Sequence, residues 1–193
     1  MIYLQEHEVG FDLEGIGFPS ISGCIAIVYR TSSGLYGLHN AGGSGEDKFQ
    51  ERAEKFADYV TNHFLYSGKG LCLYGTSFVT GNRRGYGGSS PVKGWKNEMK
   101  AFADALGYKG EILGYDLGKT NIADANSAYV EYNAVEGGCT IEFKQWSDAG
   151  KTTGPNPRRL HHKKILGVQE LTTVVVAVND ANLTLVTPER LRG

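Results

Sequence analysis

The run Cys24-Ile-Ala-Ile-Val-Tyr-Arg30 is dense in β-branched and aromatic residues, stops at Thr31-Ser-Ser-Gly34 and resumes as Leu35 to His39. That pattern predicts a buried strand, a tight turn and a returning strand, an antiparallel hairpin. With the turn centred on Ser32-Ser33, Ala26 faces His39 and Cys24 faces Ala41. Opposed residues share a face and side chains alternate along each strand, so Cys24, Ala26, Gly37 and His39 project the same way. Cys24 and His39 become diagonal neighbours, with Cβ atoms about 7 Å apart. Between them lie only Ala26 and Gly37, which predicts a shallow dent with space for a substrate group.

A thiol beside an imidazole supports nucleophilic attack on a carbonyl. The imidazole stabilises the thiolate and then delivers a proton to the leaving amine, so Cys24 is the candidate nucleophile and His39 its partner. Gly23 lets a backbone approach closely, and the amides around Gly23 to Ile25 are candidates for an oxyanion site. The plain alternative is that Cys24 is core packing, because unpaired cysteine is among the most buried residue types. Cys72 and Cys139 have no histidine at useful spacing and read as packing.

The rest of the chain predicts a mixed α/β domain. Phe49, Ala53, Phe56, Ala57, Val60 and Phe64 recur at helical spacing behind a capping box at Ser44 and Asp47. Ser90-Pro91 opens a second helix through Leu106, with Trp95, Met99, Phe102, Ala103 and Leu106 as its buried stripe. Strands are expected at Ile2 to Val9, Leu71 to Phe78, Glu111 to Asp116, Ala128 to Val135, Thr140 to Trp146, Thr172 to Asn179 and Leu183 to Val186. Gly10 to Ser20, Val79 to Ser89 and Ser147 to Lys164 read as loops. The expectation is one catalytic domain, residues 1–193, with a mixed sheet or sandwich core, two main amphipathic helices, and Cys24 and His39 on the hairpin.

Twenty Lys and Arg against 21 Asp and Glu, with 11% aromatic residues, argue against a disordered chain or a broadly electrostatic nucleic-acid binder. No stretch approaches the roughly 18 apolar residues of a spanning helix, and no basic segment followed by an apolar run opens the chain. A soluble protein without a membrane segment or cleaved signal is expected. The three cysteines match no zinc spacing, the adjacent His161 and His162 diverge, and Gly81 to Gly88 lacks the order of a phosphate loop. No cofactor or metal is implied.

Ser22-Gly23-Cys24, an apolar strand, a turn and a strand ending in His39 together resemble the active-site hairpin of the glutamine deamidase toxins typified by cytotoxic necrotizing factor. A looser similarity links the segment to the chemoreceptor glutamine deamidases. The resemblance covers residues 20 to 43 only. It implies a β-sandwich packed against helices, a thioester route from glutamine to glutamate, transfer to amines in some members, and a protein substrate carrying the target glutamine. Cys24 would be the nucleophile and His39 the general base and acid.

Some members orient the histidine with a threonine six residues before the cysteine, where this chain has Phe18. A main-chain carbonyl, as in other members, or a nearby hydroxyl such as Ser20 would then take that role. The kinship also implies an effector delivered without a cleaved signal peptide, with Thr80 to Gly88 and Lys151 to Lys164 as recognition loops. Two competing readings remain at this point: a non-enzymatic binding or accessory protein with a packed Cys24, and another thiol amidase acting on a small molecule.

Overall fold

β4 (Ile25–Thr31), a continuous apolar run, and β5 (Gly34–Asn40) are buried on both faces, and the two pair antiparallel with Ala26 opposite His39 and Ile25 opposite Asn40. These strands are the centre of a seven-stranded sheet. Its order is β11 (His162–Lys164), β2 (Glu8–Asp12), β5, β4, β6 (Gly70–Ser77), β7 (Ile112–Asp116) and β14 (Glu189–Arg192). All its pairs are antiparallel except β6 with β7. The computed structural model describes residues 1–41, 46–63, 65–80, 86, 90–123, 126–146, 151–155, 162–164, 173–177 and 183–192, with the backbone alone for 46–48, 151–155, 162–164 and 173–177.

A second sheet orders β1 (Ile2–Tyr3), β3 (Gly15–Ile21), β8 (Ser127–Val135), β9 (Gly138–Trp146) and β13 (Thr184–Val186), and β10 (Lys151–Pro155) pairs with β12 (Thr173–Ala177) alone. Strand alternation divides the core. Ala26 and Val28 of β4 face the second sheet, where they join Ile16, Phe18, Val130 and Tyr132. Ile25, Ile27 and Tyr29 face the helices α1 (Glu46–Asn62) and α2 (Pro91–Ala105), where they join Phe56, Trp95, Met99 and Phe102. Helices, large sheet and small sheet therefore form three layers. Each buried aromatic side chain contributes roughly 1.5–3 kcal/mol.

Both predicted helices form, and the stripe residues Ala53, Phe56, Ala57, Val60, Trp95, Met99, Phe102, Ala103 and Leu106 are buried, whereas Phe49 is only partly buried and Phe64 lies outside the described residues. Pro91 opens α2, although the Ser90 side chain makes no capping bond. Ser44 and the side chain of Asp47 lie outside the described residues.

Two loop expectations and one strand expectation are corrected. Gly10 to Ser20 is not a loop: β2 runs to Asp12 and β3 occupies Gly15–Ile21. Gly15 and Gly17 sit where neighbours crowd the backbone, since a Cβ on Gly17 would strike the Tyr129 hydroxyl and the Tyr3 ring. In the predicted opening strand, His7 has φ 69°, which breaks the run into β1 and β2. Within Ser147 to Lys164, β10 and β11 are strands, the latter pairing His162 with Gly10. Arg158, Arg159 and His161 lie outside the described residues, as does most of Thr80 to Gly88 apart from Thr80 and Tyr86. The charged β14 was absent from the expectation. Among the described residues, no helix is long and apolar enough to cross a membrane.

Candidate active site

Cys24 stands one residue before β4, after the exposed Ser22 and the partly exposed Gly23. Its carbonyl accepts a hydrogen bond from Ser77 Oγ at 2.9 Å, so the end of β6 pins the backbone that carries the sulfur. The Cys24 side chain belongs to the core between the sheets and is 9% exposed.

His39 also turns toward the second sheet, edge-on to the Phe18 ring with centroids 6.0 Å apart. It is 2% exposed. Its Nδ1 lies 2.8 Å from the carbonyl oxygen of Leu4. A carbonyl only accepts, so the proton of the neutral ring is on Nδ1 and the lone pair on Nε2. Nε2 is buried and, among the described residues, makes no hydrogen bond. Burial pushes the imidazole down to about 4, helped by the nearby His7 and opposed by the Leu4 carbonyl. Near pH 7 His39 is therefore neutral, with a basic nitrogen that has no hydrogen-bond partner among the described residues.

The orienting group is thus a peptide carbonyl. Ser20 has φ 62° at an irregularity in the β3–β8 pairing and is exposed, so the bulge carries its hydroxyl to solvent. Phe18, where some deamidases have a threonine, does stand beside the histidine, but as an apolar wall. The expected dent is filled: the Cβ position over Gly37 is occupied by Leu4 and Ile16 methyls, each 2.9 Å away, and Ala26 is fully buried. The second sheet packs onto the small residues, and the exposed Ser22 and partly exposed Gly23 precede Cys24 in the chain. Ile25, the other oxyanion candidate, is paired with Asn40 at the start of β4.

The other thiols behave as core groups. Burial pushes Cys72 up to about 11 and Cys139 up to about 12. None of the three cysteines is in a disulfide. Among the described residues, no group of three or more His, Cys, Asp or Glu is arranged to hold a metal ion.

Several residues beside the pair escaped the sequence reading. Leu4 acts through its backbone, which leaves no side-chain signal. Asn40, next to His39, points the other way and donates from Nδ2 to Glu98 Oε1 at 2.6 Å. The Tyr86 hydroxyl donates to Glu98 Oε2, also at 2.6 Å, and Arg52 Nη1 donates to the Ala41 carbonyl at 2.5 Å. Glu98 is buried on α2, three residues after Trp95 and one before Met99, so the helical period itself places a carboxylate on the core face. Burial pushes Glu98 up to about 7, against the lowering effects of Tyr86, Arg52 and Asn40. Beyond Ser77, Asp116 accepts from the Val79 amide at 2.8 Å and from the Thr80 amide and hydroxyl. Compared with protein-family models and with curated proteins, the chain matches none.

Proposed function

We propose that this chain is a cysteine-dependent glutamine deamidase, with Cys24 as nucleophile and His39 as general base and acid on the hairpin of β4 and β5. The observation that carries the reading is the state of His39. Leu4 fixes its tautomer, and Nε2 is a bare, desolvated acceptor on the sheet face that Cys24 also occupies. A buried imidazole nitrogen left without a partner costs about 1–3 kcal/mol, and a thiol proton would offset that cost. Nucleophile–base bonds that are open in an unliganded protein close when substrate arrives.

In the reaction, Nε2 accepts the thiol proton as the sulfur attacks the glutamine Cδ and forms a C–S bond. The carbonyl oxygen takes negative charge near the Gly23 amide, because the Ile25 amide is engaged in the ladder opposite Asn40. Collapse breaks the C–N bond, and the imidazolium gives its proton to the departing ammonia. Water then attacks the thioester, Nε2 takes its proton, and the thiolate leaves with that proton to regenerate the thiol and a glutamate. An amine in place of water gives transamidation.

The substrate in this reading is a protein with an accessible glutamine, approached from the side of Ser22 and Gly23. Delivery as an effector into another cell accords with the toxin resemblance. The competing accessory-protein reading draws on the membership of Cys24 in the core between the sheets. The test is incubation of candidate protein substrates with the wild type, Cys24→Ser and His39→Ala, followed by peptide mass spectrometry and ammonia assay. Deamidation adds about 1 Da at glutamine, with ammonia released in equal amount, and both variants abolish it. Equal product from wild type and Cys24→Ser would overturn the assignment.

A further inference from the structure

The last two residues of β5 and the residue that follows it are each tied to a different part of the molecule. The His39 carbonyl accepts from the His7 amide at 2.8 Å, the Asn40 side chain is held by Glu98, and the Ala41 carbonyl is held by Arg52. Asn40 pairs with Ile25, the residue after Cys24, so the Asn40–Ile25 rung adjoins both proposed reacting residues. Leu4 grips the strand end from the sandwich side and Glu98 from the helix side. Neither Glu98 nor Asn40 takes part in the proposed chemistry, and both are almost fully buried.

A carboxylate in a helix core is an expensive way to fill space, because an apolar side chain of similar size would pack there without desolvating a charge. What Glu98 offers instead is two directed acceptors. Oε1 takes the Asn40 amide and Oε2 takes the Tyr86 hydroxyl, and Tyr86 packs over Gly94 of the same helix.

We propose that Glu98 is a positioning residue for the Cys24–His39 pair: through Asn40 it fixes the end of β5, while the Tyr86 hydroxyl holds its other carboxylate oxygen in place. The inference rests on the reading of Cys24 and His39 as the reacting pair.

The test is the rate at which iodoacetamide alkylates Cys24 near pH 7, read by peptide mass spectrometry in the full chain. Glu98→Ala slows the reaction about tenfold, in line with loss of alignment from a distant support. Glu98→Gln keeps an oxygen for Asn40 and stays within about twofold of wild type, a rescue that loss of packing alone would not give. Met99→Ala, on the same helix as Glu98, opens the core against Gly75 of β6 and lowers stability but not the Cys24 rate. Should Glu98→Ala fail to fold, Asn40→Ala is expected to give the same slowing. Wild-type alkylation in Glu98→Ala, or equal slowing in Glu98→Gln or Met99→Ala, overturns the inference. His39→Ala separates the two levels: if it leaves the rate unchanged the reacting pair itself fails, whereas if it alone slows the rate the pair stands and Glu98 does not position it.

Discussion

The imidazole of His39 donates its Nδ1 proton to the backbone carbonyl of Leu4 across 2.8 Å, so one peptide oxygen decides which ring nitrogen is basic. Because β1 and β2 are separated at residues 4–7, that carbonyl points at β5 instead of joining a ladder. No substitution of a side chain can remove this acceptor, only displace it.

The ring should titrate near pH 4, its burial having lowered it from the ordinary 6.5. Nuclear magnetic resonance of the His39 Cε1 proton reads this directly, and a midpoint near 6.5 would contradict it. The unfolded chain binds the extra proton first, so stability is present above pH 6.5 and is lost as pH falls through 4. The full effect is roughly 3 kcal/mol and should vanish in His39→Gln, as measured by denaturant unfolding across that pH range.

Removing Phe18 acts on packing and on acidity together. Phe18→Ala should cost about 3–5 kcal/mol in chemical denaturation. Water admitted beside the ring should also raise the His39 titration toward its ordinary value. A variant that loses stability with no movement of that titration would show that Phe18 does not desolvate the histidine.

Gly37→Ala tests the filled dent. Its new methyl would lie 2.9 Å from Leu4 Cδ1 and Ile16 Cδ1, both fully buried, so the second sheet must shift. A loss of about 1–3 kcal/mol is expected in thermal or denaturant unfolding. Because Leu4 moves with it, Cys24 alkylation should slow as well. Unchanged stability would mean that the space over Gly37 is open.

Glu98 has the opposite pH sign from His39. Its folded value, raised to about 7 from 4.5, means that the native state holds the proton longer than the unfolded chain does. Its contribution is complete below pH 4.5 and is lost as pH rises through 7, by roughly 3 kcal/mol. Glu98→Gln should remove this dependence. If the variant and wild type show parallel stability curves from pH 4 to 8, Glu98 is not desolvated as described.

The hairpin was legible because alternation and turn chemistry are local: the register of Ala26 on His39 follows from the Ser32-Ser33 turn alone. The two helices were legible for the same reason, through their buried stripes. Gly10 to Ser20 misled because glycine marks both turns and places where a neighbour crowds the chain, and Gly17 is the second kind. The filling of the Gly37 dent depends on Leu4 and Ile16 arriving from distant strands, which no local pattern encodes. Ser20 had the right chemistry within reach in sequence, but a bulge carried it to solvent, while Glu98 could have been found as the one carboxylate on the buried stripe of α2.

The central claim is that Cys24, activated by His39, attacks a glutamine-like carbonyl. Treating the native protein with a glutamine-mimicking diazoketone, followed by intact and peptide mass spectrometry, tests it most directly. The account predicts one adduct, on Cys24, lost in Cys24→Ser and strongly slowed in His39→Ala, with Cys72 and Cys139 unmodified because burial keeps both thiols protonated. No adduct on Cys24 in the wild type, or labelling that proceeds equally well in His39→Ala, would contradict it.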